Sequence, residues 1–172
     1  MSIPNNTIQI AENRDVLFLS LCYDIYNSPT PATFLRSAPP ITEGKRNSTL
    51  LYPRDIGAYR PRDCHSVTLT SEIGQGATGV VHRGVLDVNN GSTMLDVVVK
   101  LAFDEEQKAA LKDEYEMYRL LRLKGVVDGI ATVLGLFNDF EGGPSALVML
   151  YAGEPLQTEQ ERTLSPAEWS VI

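Results

Sequence analysis

The stretch "SEIGQGATGVVHRGVL", Ser71 to Leu86, sets Gly74, Gly76 and Gly79 at the spacing G-x-G-x-x-G. Upstream, "SVTLTSEI" from Ser66 alternates apolar and polar residues as a strand does. Downstream, "GVVHRGVLDV" resumes with β-branched residues and a period of two. The glycines therefore join two strands, and they either let the chain turn or let its backbone approach an anion.

The next elements follow from that start. Where the same glycine spacing serves a dinucleotide it opens a helix, and the strand-prone chain after Gly79 does not. Asn90-Gly91 in "VNNGST" is a hairpin signal, since both residues tolerate positive φ. A third strand, "TMLDVVVKLAF", should leave it, with Lys100 in its middle. Alternation puts Val98 and Lys100 on one face and Val97, Val99 and Leu101 on the other. A buried ammonium requires an anion.

"DEEQKAALKDEYEMYRLLRLKG" reads as a helix from about Asp104 until Gly125, with an acidic start that suits the helix dipole. At 100° per residue, Ala110, Leu111, Tyr115, Met117, Tyr118 and Leu121 form one apolar arc. Glu114 falls near its centre, so its carboxylate points where the helix packs and supplies the partner for Lys100. Asp113 and Glu116 read as solvated surface charge.

These residues together resemble the N-terminal lobe of the protein kinase family. Gly74, Gly76, Gly79 and Val81 match G-x-G-x-x-G-x-V, "VVVK" ending at Lys100 matches V-A-I-K, and Glu114 stands at the helix glutamate. "GIATVLGLFND" and "SALVMLYAGEPL", separated by "FEGGP", look like the fourth and fifth strands. The resemblance implies an α+β fold, a twisted five-stranded antiparallel sheet with one major helix packed on it. It implies ATP as cofactor, with Ile73, Val81 and Val98 roofing the purine and Met149 as gatekeeper. The backbone of Leu150, Tyr151 and Ala152 would serve as a hinge facing the adenine. Val98 stands where the family usually has alanine and should crowd the base.

The match runs from about Val67 to Ile172 and covers one lobe. No H-R-D-x-x-x-x-N and no D-F-G occurs, so the family's catalytic base and magnesium ligands have no counterpart here. This chain by itself is expected to bind ATP without appreciable phosphoryl transfer. Two other functions fit the same residues. One is a pseudokinase-like interaction module, meeting a protein partner or a second copy through the exposed underside of the lobe. The other is the lobe of a small-molecule phosphotransferase of the choline or aminoglycoside kinase type.

Residues 1–66 read as an N-terminal extension. A helix is expected around Ala11 to Tyr26, followed by a Pro/Ser/Thr-rich linker or wrapping arm, "NSPTPATFLRSAPPITEGKRNS". Residues 67–172 then form the kinase-like domain, with a new helix capped by Ser165 and Glu168 at its end.

Composition sets the outer bounds. A chain of 172 residues with 43% hydrophobic and 22% charged residues is that of a soluble globular protein. Its formal net charge of -7 argues against a nucleic-acid surface, which needs clustered Lys and Arg. Cys22 and Cys64 lack the spacing of a zinc site; a disulfide between them is one reading, and a pair of isolated cysteines in a reduced compartment is the more common one. The apolar run Val16 to Tyr23 is too short to span a bilayer, and the acidic residues before it do not suit a signal peptide. The expected setting is the cytoplasm or nucleus, without a membrane partner.

Overall fold

The computed structural model describes residues 16–21, 32–38, 41, 64–88, 93–126 and 128–153. In chain order these form β1 (Val16–Leu21), β2 (Ala32–Ala38), β3 (Cys64–Gly76), β4 (Gly79–Val88), β5 (Thr93–Ala102), α1 (Glu105–Leu123), β6 (Val133–Asp139) and β7 (Ser145–Leu150). The architecture is α+β: one sheet in the order β1-β2-β6-β7-β5-β4-β3, closed on itself, with α1 packed outside it. Every ladder is antiparallel except the one between β1 and β3.

The expected five strands are present as β3 to β7, in the anticipated chain order and with the helix between the third and the fourth. Among the described residues the strand count is corrected to seven. The additional two come from the stretch read as a helix and a linker. Val16–Leu21 is a strand, not the middle of a helix, and the rest of Ala11 to Tyr26 lies outside the described residues. A short apolar run has no periodicity that separates helix from strand, and here pairing with β2 and β3 decides the matter. Within the supposed linker, "ATFLRSA" forms β2 against β6. Among the described residues, β1 and β2 pair within the same sheet as β3 to β7, and β3 itself begins at Cys64.

Closure creates two cores. Inside the barrel lie Phe34, Val67, Leu69, Leu86, Val97, Val99, Leu134, Phe137 and Val148, among others. The second core lies between the outer face of the sheet and α1, where Leu111 and Tyr115 meet Ala102, Val133, Leu136, Leu147, Met149 and Ile41. The alternation along β5 holds: Val97, Val99 and Leu101 point inward, and Val98 packs toward the helix. Gly84 faces inward where only hydrogen fits, since a Cβ there would lie 2.9 Å from the Thr68 carbonyl oxygen and 3.1 Å from Leu69.

Helix α1 begins where its cap permits. The Asp104 carboxylate accepts a hydrogen bond from the Gln107 amide at 2.7 Å. It ends as Gly125 takes φ 80° and the Val126 amide returns to the Leu121 carbonyl at 3.1 Å. The apolar arc is narrower than its residue types suggest. Leu111 and Tyr115 are buried, whereas Met117 is 50% exposed and lies off the packing face. Burial, with a smaller contribution from Glu116, pushes the Tyr115 phenol up to about 12.

Both histidines lie in the sheet, and both are buried. His82 is fully enclosed, and burial pushes its imidazole below the ordinary value against the opposing effects of Glu72 and of backbone hydrogen bonds to Val99 and Val80. The folded protein therefore refuses a proton that the unfolded chain accepts. Above about pH 6.5 both states are neutral and this group adds no pH dependence. Below it, stability should fall as pH drops toward the lowered folded value, by at most about 1.4 kcal/mol per pH unit. Urea midpoints measured between pH 7.5 and 5 should show this slope, and His82→Gln should flatten it.

Candidate functional site

The site is built on the outer face of β4, β5 and β7 beside α1. In the ladder Val81 lies opposite Lys100, and Lys100 lies opposite Leu147. One step along, Arg83 lies opposite Val98 and Val98 opposite Met149. The half-buried Lys100 ammonium donates to both oxygens of Glu114, at 2.8 and 2.7 Å. Their side chains are only 17% and 14% exposed, so the pair sits largely out of water. Geometry of this kind satisfies a desolvated ammonium, and removing either partner would strand the other.

The glycine hairpin ends beside this pair. Gly76 pairs with Gly79 across a two-residue tip, and Gly74 pairs with Val81. The register of β3 shifts between Leu69 and Ser71 and again between Glu72 and Gly74. Bulges of this type twist a strand and re-aim it. The three glycines differ in what the fold asks of them. Gly79 has φ 122°, and a Cβ there would fall 2.0 Å from the Leu101 carbonyl oxygen, so the fold itself demands glycine. At Gly74 and Gly76 a Cβ would meet nothing within 4 Å, and neither has positive φ.

The remaining candidates are placed as follows. Val81 and Val98 are half-buried on the Lys100 face, and Met149 is buried in the core beneath α1. Ile73 is 49% exposed, so the proposed purine roof is open at that corner. Leu150 packs against the barrel interior, and its amide donates to the Thr132 carbonyl at 2.9 Å. The Tyr151 amide donates to the Asp96 carbonyl at 3.0 Å. Those two N–H groups are committed within the protein, so a hydrogen bond from this segment to a base has to come from elsewhere in it. Ala152 is exposed, and the expected helix after Ser165 lies outside the described residues.

Two features escaped the sequence reading. The Thr78 hydroxyl, at the hairpin tip, donates to Glu114 Oε2 at 3.2 Å. The Arg83 guanidinium stacks 4.2 Å from the centre of the Tyr151 ring while pairing with Asp96 at 3.3 Å. The second was open to inference: Arg83 follows Val81 by two positions and Asp96 precedes Val98 by two, which places opposite charges on one face of neighbouring strands.

Among the described residues, no three His, Cys, Asp or Glu side chains gather as a metal would need, and no helix is long and apolar enough to cross a membrane. In comparisons with known proteins, no family model matches the chain and no curated protein matches it significantly.

Proposed function

We propose that this chain is a nucleotide-binding lobe of the protein kinase type, holding the phosphates of ATP between the β3–β4 hairpin and Lys100. The observation that carries this reading is the bidentate Lys100–Glu114 contact beside the tip of a glycine hairpin. A lysine held by one carboxylate keeps a fixed position and still has a third N–H to offer an anionic oxygen. Gly74 and Gly76 support the reading, because their open side leaves backbone that a phosphate could approach. Val81 and Val98 supply the apolar surface a base would stack on.

Binding and chemistry separate here. A positioned phosphate without a base to accept a proton or a group to bind magnesium gives little phosphoryl transfer. The chain by itself is therefore proposed to bind the nucleotide and not to transfer its phosphate. Titration calorimetry with a non-hydrolysable ATP analogue tests this. Saturable binding is expected, weakened at least tenfold, about 1.4 kcal/mol, in Lys100→Met. A wild-type protein that takes up no analogue retires the reading.

One observation favours a second reading as an interaction module. Met117, Leu120 and Leu123 on α1, with Val126 just beyond it, are all at least 41% exposed. Apolar residues clustered this way mark contact surfaces. That reading expects a size in solution that rises with concentration and is insensitive to the analogue.

A further inference from the structure

The carboxylate of Glu114 serves two elements at once. Its Oε2 accepts from Lys100 on β5 at 2.7 Å and from Thr78 at the hairpin tip at 3.2 Å. A carboxylate can only accept, so the Thr78 hydroxyl is the donor. Thr78 is half-buried, although Ala77 and Gln75 beside it are exposed, so the tip leans toward α1 at this one residue. The next residue, Gly79, packs closely against the Leu101 carbonyl of β5. Across the ladder Gly74 pairs with Val81 and Gly76 with Gly79, and a Cβ at either glycine would meet only open space. The β4 side of the hairpin is therefore held on β5, its tip is tethered to α1 through Thr78, and the β3 side is open on its outer face.

We propose that Thr78 is a positioning residue that latches the β3–β4 hairpin to α1 through Glu114, so that the hairpin's opening and the setting of the Lys100–Glu114 pair form one coupled equilibrium. Thr78 is an attractive coupling point because hydrogen bonds to an ionised group are stronger than neutral ones, yet a single such bond is weak enough to break and reform. An anion that draws Lys100 toward itself changes the charge Thr78 donates to. By reciprocity, a free tip changes how firmly Glu114 holds the lysine. What the latch gates rests on the nucleotide reading above; the coupling itself does not.

Amide hydrogen exchange of residues 75–80 tests the latch on the whole chain with no nucleotide present, so its outcome is separate from that of the calorimetry. Thr78→Val keeps the shape and β-branching and removes the donor. It is expected to speed exchange in this segment about tenfold while leaving the melting temperature within a few degrees. Thr78→Ser, which restores the hydroxyl, should return exchange to near the wild-type rate. In a double-mutant cycle with Glu114→Gln, the two effects should fall short of additive. An acceleration under threefold in Thr78→Val, no rescue by Thr78→Ser, or full additivity with Glu114→Gln would each overturn the proposal.

Discussion

Gly79→Ala should lower the melting temperature by about 10 °C, whereas Gly74→Ala and Gly76→Ala should leave it nearly unchanged. Three glycines of one motif thus separate into two kinds. At position 79 the backbone stands at φ 122°, and the added methyl would be driven into the Leu101 carbonyl of the neighbouring strand. The dihedral alone is worth about 1 to 3 kcal/mol of strain. The clash is with backbone, which cannot swing aside as a side chain tip can, so a total of about 3 kcal/mol or more is expected. At positions 74 and 76 a methyl meets no atom within 4 Å. Thermal melts followed by circular dichroism give the ranking directly. The same three variants also report on function, because a nucleotide phosphate against Gly74 and Gly76 would make their alanine variants weak binders that are still stably folded. Stable variants that bind the analogue as well as the wild type would leave these two glycines without a ligand to explain them.

The second large effect concerns the N-terminal strands. Phe34→Ala is expected to destabilise the protein by about 3 to 5 kcal/mol in urea titrations, the usual range for emptying an aromatic site in a packed interior. Phe34 is fully buried and sits inside the barrel with Val67, Leu69, Leu134 and Phe137. The strand carrying it is pinned to β6 by side chains as well as by the ladder. Arg36 donates to the Leu134 carbonyl at 2.6 Å and lies over the Phe137 ring, and Ser37 donates to the Leu136 carbonyl at 3.2 Å. Were β2 a detachable arm, Phe34→Ala would melt with the wild type. Removing residues 1–63 should be harsher still, since it uncovers the inward faces of β3 and β6 to water.

What the sequence disclosed tracks what is local. Strands β3 to β7 show alternation or bounded apolar runs, and α1 shows its cap at Asp104 and its stop at Gly125. The Lys100–Glu114 pair follows from two periodicities, one of the strand and one of the helix, each demanding that its charge face the other element. β1 and β2 were not legible by the same means. "VLFLSL" is apolar but for Ser20, and "ATFLRSA" is short and bracketed by prolines, so their pairing is set by distant strands and not by their own pattern. A clue did exist in β5. Val97, Val99 and Leu101 form an apolar face opposite the one that receives α1, and a face of that kind needs a cover. The core inside the barrel was therefore announced by β5, while the strands that close over it were not. Thr78 escaped for a different reason: the tip of a hairpin has no periodicity, and where it leans depends on bulges in β3.

The join between β2 and β6 also bears on synthesis. The hydrogen bonds from Arg36 and Ser37 span 98 and 99 residues of chain. During translation at roughly 5 to 20 residues per second, β2 emerges about 5 to 20 s before its partner exists. For that interval Phe34 and its neighbours are apolar segments without a seat, exposed to chaperones and to other nascent chains. Closure of the barrel is accordingly a late, long-range step, and the speed of the ribosome through residues 40 to 135 sets how long the first strands must wait.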